Sequence, residues 1–175
     1  MEPLELYTNA TDWAAEKVAG AAKRLEAPTP CDEWNVRTLV SHMIDTQNYF
    51  AGKARGQDVP LPKPMPPDLV RDDPLGAYNE AVADTLDAFN SPGGLEKAGI
   101  GVGIAFSDSM IHGWDVATAT GQDATMPEGL AAAALEMIHG RFTPEQREGV
   151  FKPEVEVADD APVQDKLLAY SGRTP

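Results

Sequence analysis

Five prolines stand within residues 60–67, at Pro60, Pro62, Pro64, Pro66 and Pro67. No helix interior or central strand tolerates that density, because proline lacks the backbone N–H and fixes φ. Residues 56–73 must therefore be a long, partly polyproline-like crossover. Whatever flanks it is joined across the molecule and not by a tight hairpin. The segments on either side carry apolar residues at helical spacing, so the constraint acts on a helical chain.

Upstream, Leu6, Ala10, Trp13, Ala14, Val18, Ala21 and Leu25 form a 3.6-residue stripe, which predicts an amphipathic helix over 4–26, ending before Pro28. Pro28 to Trp34 reads as a tight connection. Asn35 is a candidate N-cap for a second helix from Val36 to about Arg55, with Leu39, Val40, Met43 and Phe50 inward. His42 lies at the edge of that stripe.

Downstream, Asp73 and Pro74 open a third helix carrying Leu75, Tyr78, Val82, Leu86 and Phe89, and Ser91-Pro92-Gly93-Gly94 stops it. The run Gly99-Ile100-Gly101-Val102-Gly103 has no strand before it and no acidic ribose partner, so it fails as a nucleotide-binding signature. It reads as an entry that allows close helix packing. The fourth main helix follows to Thr120 and stops at Gly121. Thr125-x-x-Glu128 matches a capping box for an alanine-rich helix through Ile138. Thr143-Pro144 and Gln164–Tyr170 start shorter helical segments, and Val155–Val157 is extended at most briefly. The expected fold is all-α: four main helices with a helical C-terminal extension, in one domain over 1–175.

Net charge is -14 with a pI near 4.4, which repels phosphate backbones and anionic lipid, so nucleic-acid and membrane partners are disfavoured. One cysteine, Cys31, excludes an intrachain disulfide and a cysteine-rich metal cluster. No apolar run approaches a membrane span, and the acidic N-terminus lacks a signal-peptide core, which points to a soluble cytoplasmic protein.

The chemistry concentrates between Asp108 and Gly121. Asp108 and His112 are i,i+4, and His112 and Asp115 are i,i+3, so all three project from one helix face. Asp-x-x-x-His on a helix is two-thirds of a small metal site, and His42 is the candidate third ligand if the second and fourth helices pack side by side. Three protein ligands with open positions describe a catalytic-type centre. A plain surface pair at Asp108 and His112, and a satisfied boundary histidine at His42, is the competing reading. Asp115 reads equally as a carboxylate supporting a ligating histidine or as a solvent-facing residue near the helix end. Trp34 and Trp114 read as core. His139, just before Gly140, suits a helix C-terminus. Cys31 sits near a helix start, where thiols gain reactivity, against a packing role in the connection. Arg173 reads as a tail-packing residue, with an anionic substrate group as the alternative.

Three blocks carry a resemblance: P-T-P-C-D-E-W-N-V-R-T-L-V-S-H (28–42), D-S-M-I-H-G-W-D-V-A-T-A-T-G-Q (108–122) and residues 151–175. With them the chain resembles the DinB/mycothiol-dependent maleylpyruvate isomerase N-terminal superfamily, in its single-domain, actinobacterial-type metal-binding branch. The resemblance implies a DinB-like four-helix bundle holding one divalent metal, zinc or nickel, on His42, Asp108 and His112. The isomerases carry Glu where this chain has Asp108, one methylene shorter. They also carry a further C-terminal domain, so maleylpyruvate isomerisation itself is not carried over. What is implied instead is a thiol of the mycothiol type as cosubstrate, activated by the metal towards an electrophilic substrate in S-transfer or isomerisation, with a homodimer as the expected assembly. A helical bundle that binds a metal or small molecule without turnover is the alternative.

Overall fold

The computed structural model describes residues 1–32, 34–147 and 150–175; Glu33 of the connection motif lies outside them. The chain divides into two compact units, Met1–Ala124 and Thr125–Pro175. Regular structure among the described residues is helical, apart from a single β-bridge between Pro28 and Asn35.

In the first unit the elements are α1 (Pro3–Ala21), α2 (Val36–Ala54), α3 (Pro74–Asn90), the short α4 (Gly94–Ala98) and α5 (Gly101–Thr120). Local signals set most ends. Glu2 and Glu5 form a reciprocal capping box at α1. The Asn35 side chain accepts from Thr38 N, and Asp73 accepts from Gly76 N with Pro74 in the first turn. Gly121, at φ 70°, closes α5 in the left-handed conformation that glycine adopts without strain. α1 stops at Ala21, short of the expected 26. The chain turns there through Arg24 N to Ala21 O at 2.8 Å, and the Arg24 guanidinium donates to Thr120 O at 2.8 Å.

Each long helix packs on two others: α1 on α5 and α3, α2 on α3 and α5. Trp13 lies against Gly113, and Arg24 reaches Thr120, so α1 and α5 run in the same direction. Phe50 lies against Gly101 while His42 meets Asp108, so α2 runs opposite to α5. Leu69, just before α3, donates to Ser41 Oγ near the start of α2, and Arg55 at the end of α2 pairs with Asp84 late in α3. Neighbours α2 and α3 are therefore parallel, and a tight hairpin cannot join them.

That is the physical reason for the proline segment. The 19 residues of α2 are about 28 Å long, and the chain must travel back that far before α3 begins. At about 3.1 Å per residue, a polyproline-like stretch over 57–73 has the reach. Its far end is tied down by Val70, fully buried in the core with Leu39, Val40, Met43 and Tyr78.

α5 is buried almost all round, because it contacts α1 and α2 on different faces. Small residues permit this. A Cβ on Gly113 would stand 2.6 Å from the Trp13 ring, so glycine lets α1 approach beside His112.

The second unit holds α6 (Leu130–Ile138), α7 (Pro144–Arg147) and α8 (Val163–Tyr170). The expected capping box at Thr125 and Glu128 does not open α6. The helix starts later, behind Gly129 at φ 81°, because Leu130 N turns back to Pro127 O at 3.2 Å. Met126 N donates to Gln164 Oε1 at 2.8 Å, and Tyr170 OH donates to Ile138 O at 3.2 Å, joining α8 to both ends of α6. The Arg147 guanidinium lies over the Tyr170 ring at 4.3 Å.

Candidate metal centre

Antiparallel packing of α2 on α5 brings His42, Asp108 and His112 together. Asp108 Oδ1 is 3.4 Å from His112 Nε2 and 3.7 Å from His42 Nε2, and the donor atoms of the three residues all lie within 4.8 Å of one another. Two ligands at a tetrahedral angle around zinc stand about 3.3 Å apart, so the observed separations suit a shared small cation. The side chains are 17%, 18% and 12% exposed for His42, Asp108 and His112. Asp108 Oδ2 and His42 Nδ1 are buried without a hydrogen-bond partner among the described residues. A buried carboxylate oxygen left without a donor is costly, and a cation beside it removes the cost. The residues present therefore fit a divalent ion.

Charge agrees with geometry. Burial by itself would raise the Asp108 carboxyl, but the His112 charge and the close contacts of His112 and His42 outweigh it and hold the group well below the carboxylate range. Burial would likewise lower His112, yet Asp108, with Asp115 and Cys31 behind it, pushes the imidazole well above 6.5. In the metal-free protein the Asp108–His112 contact thus favours the charged form of both groups.

Asp115 is fully buried, and its Oδ2 is 2.9 Å from His112 Nδ1. That contact assigns the Nδ1 proton and leaves Nε2 facing Asp108. Thr46 Oγ1 donates to His42 O at 2.8 Å and stands 3.4 Å from His42 Nε2.

Two features lay beyond the reading of the sequence. Trp34 is half-buried at the core edge, with its ring centroid 4.8 Å from that of His42 and 6.4 Å from that of His112. It therefore walls the site as well as packing on the core, and only its neighbourhood to Cys31 in the connection could have hinted at this. Cys31 Sγ donates to Asp115 Oδ2 at 3.2 Å. Trp114 is buried. In the second unit His139 is exposed at the end of α6, its ring against Tyr170, and Arg173 is buried with Nη1 donating to Ser171 O at 2.9 Å.

An all-helical unit with two histidines and a carboxylate converging from neighbouring antiparallel helices defines a class: helical proteins with a compact candidate metal centre. Within it, residues 7–117 match the mycothiol maleylpyruvate isomerase N-terminal domain family, and the chain belongs to that family. Two uncharacterized proteins of Mycobacterium tuberculosis, from strains CDC 1551 / Oshkosh and ATCC 25618 / H37Rv, are each 30% identical to it over 188 aligned positions, covering 99% of this chain and 99% of each relative. No solved structure matches the chain. Among the described residues, no helix is long and apolar enough to cross a membrane.

Proposed function

We propose that the protein holds one divalent ion, zinc or nickel, between His42, Asp108 and His112 and presents it to a small-molecule thiol of the mycothiol type. The observation that carries this reading is the meeting of three donor atoms within 4.8 Å of one another, beside a carboxylate whose second oxygen, Asp108 Oδ2, is buried without a hydrogen-bond partner among the described residues. Two imidazoles and one carboxylate suit zinc or nickel, and three protein ligands leave positions open to a small molecule. The family's association with mycothiol supports the choice of thiol.

His42 and His112 offer ring nitrogens, and Asp108 offers the charge that offsets part of the ion's own. Asp115 keeps the His112 ring from turning. The Trp34 indole and the low exposure of the three side chains limit water at the site. When bound, such an ion acts as a Lewis acid and favours the deprotonated form of a thiol, which supplies a sulfur nucleophile for S-transfer to, or isomerisation of, an electrophilic substrate.

The test has two stages. Elemental analysis of untagged protein should find close to one equivalent of metal, lost in His42→Ala and in His112→Ala. Metal well below one equivalent in the parent, or unchanged in both variants, sinks the site. Thiol consumption should then be followed across a panel of electrophiles with mycothiol present. Metal without turnover selects the second reading, a non-catalytic binding module, which the 12–18% exposure of the three side chains favours because little of the site meets solvent.

A further inference from the structure

His112 has two ring nitrogens, and they face different groups. Nε2 looks toward Asp108, and Nδ1 meets Asp115 Oδ2 at 2.9 Å. The same oxygen receives the Cys31 thiol at 3.2 Å, while the sulfur stands 4.0 Å from Nδ1. The shorter distance and the need for Nδ1 to keep its own proton both send the S–H to the carboxylate. Asp115 is 0% exposed, and a carboxylate buried this fully is held in place by the donors around it.

The connection between α1 and α2 is wired to deliver that thiol. Thr29 Oγ1 accepts from Cys31 N at 3.1 Å and donates to Trp34 O at 2.9 Å, and Trp34 N donates to Cys31 O at 3.1 Å. The Pro28–Asn35 bridge closes the turn at the N-cap of α2. One short segment therefore sets Trp34 against the His42 ring and Cys31 against the carboxylate behind His112.

We propose that Cys31 is a positioning residue of the metal centre, its thiol holding Asp115 so that the His112 ring keeps Nε2 turned toward His42 and Asp108. This rests on the metal reading above. Cys31, His112 and Asp115 also form a compact donor set, their atoms within 4.8 Å of one another. There His112 Nδ1 and the Cys31 thiol both stand at hydrogen-bond distance from Asp115 Oδ2, 2.9 and 3.2 Å, so the geometry reads the thiol as an outer support and not a ligand.

Zinc affinity, measured on the full chain by competition with a chromophoric chelator, separates these roles. The variants are Cys31→Ala, Cys31→Ser, Asp115→Asn and the Cys31→Ala/Asp115→Asn double variant, with thermal midpoints of the zinc-free proteins recorded alongside. The parent should bind one zinc per chain. Cys31→Ala should weaken binding by about 3–10-fold and Asp115→Asn by about 10–100-fold, in line with outer partners of metal ligands. Serine, still a donor, should return affinity to within about twofold of the parent. The double variant should bind no worse than Asp115→Asn, because the thiol acts through that carboxylate.

Unchanged affinity in Cys31→Ala, additive losses in the double variant, serine as weak as alanine, or losses that only track the zinc-free midpoint would each overturn the proposal. Two zinc ions per parent chain would overturn it as well, by making Cys31 a ligand. A parent that binds neither zinc nor nickel in the same assay ends the metal reading and this proposal with it, whereas one metal ion in a parent indifferent to Cys31 ends the proposal alone.

Discussion

Two proline-bearing segments of the first unit leave α2 from opposite ends, and they do opposite work. The turn over 28–35 is short, internally hydrogen-bonded through Thr29, and places two side chains at the candidate metal centre. The crossover over 57–73 is long and leaves Leu61 and Met65 74% and 56% exposed. It meets the core chiefly near its end, through Val70 and through Leu69 N on Ser41 Oγ. Proline content alone does not separate them. What separates them is where polar side chains pair the backbone. In the turn Thr29 ties Cys31 N to Trp34 O in the middle of the segment, whereas in the crossover such pairs fall at its end, on Leu69 N and Val70 N. Such pairing fixes side-chain directions where solvation does not.

If that contrast is right, changes at the turn and its partners reach the metal centre, and changes in the crossover do not. The largest effect is expected at the centre itself. His112→Ala should cut zinc affinity by at least about 100-fold, the upper end of what losing an outer partner costs, as read by chelator competition. Crossover variants assayed in parallel should keep parental affinity, and any that loses it breaks the contrast.

pH comes next, since the turn touches the buried His112 and Asp115, whereas the crossover's ion pairs, Asp68 with Arg37 and Arg71 with Glu80, involve exposed carboxylates. The folded-state pKa of His112 is raised, so its stabilising contribution is complete below about 6.5 and is lost as pH rises through the higher folded value. That of Asp108 is depressed, so its contribution is present above about 3.8 and is lost as pH falls below that. The zinc-free protein should therefore melt highest between roughly pH 4 and 6.5 as far as this pair is concerned, while zinc affinity should climb with pH as His112 gives up its proton. A zinc-free melting temperature that rises from pH 6.5 to 8 in the parent but not in His112→Ala would reverse the sign assigned here.

Smaller effects are expected in the segments. Thr29→Val removes the hydroxyl that ties Cys31 N to Trp34 O and should cost about 1–3 kcal/mol in urea unfolding, together with several-fold in zinc affinity. Val70→Ala should cost about 1–2.5 kcal/mol through a small core cavity and leave zinc affinity alone. A loss of affinity in Val70→Ala with none in Thr29→Val would invert the comparison. Leu61→Ser, on the exposed part of the crossover, should stay within about 0.5 kcal/mol of the parent in the same unfolding assay.

Much of this was legible in the chain. Helical spacing named the inward faces of α1 and α2, and Asp73-Pro74 and Gly121 marked ends that the structure shares. On α3 Tyr78 and Phe89 are buried as expected, but Ala81, Thr85 and Ala88 complete the buried face while Leu75, Val82 and Leu86 are half-buried. The i,i+4 spacing of Asp108 and His112 put both on one face before any packing was known. Helix ends were misplaced where a long-range contact or a glycine turn overrode the local signal. α1 ends early where Arg24 turns away to cap the α5 carbonyl of Thr120, and α6 starts late because Gly129 takes a left-handed turn after Pro127. Trp34 looked like core by hydrophobicity and in fact also lines the site, which depends on how α2 faces α5.

By itself, then, the sequence determined whatever covalent geometry and near neighbours dictate: which segments are the main helices, though not the short α4, that 56–73 is not one, and that Asp108, His112 and Asp115 share a face. The physical reasons are a helical repeat of about 3.6 residues per turn and proline's missing N–H. Only the tertiary structure decided that α2 runs antiparallel to α5, so that His42 meets Asp108, and that Cys31 reaches Asp115 from 84 residues away. Such contacts depend on helix direction and close approach, which are set by Gly113 against Trp13 and by the length of the crossover. No local spacing rule contains them.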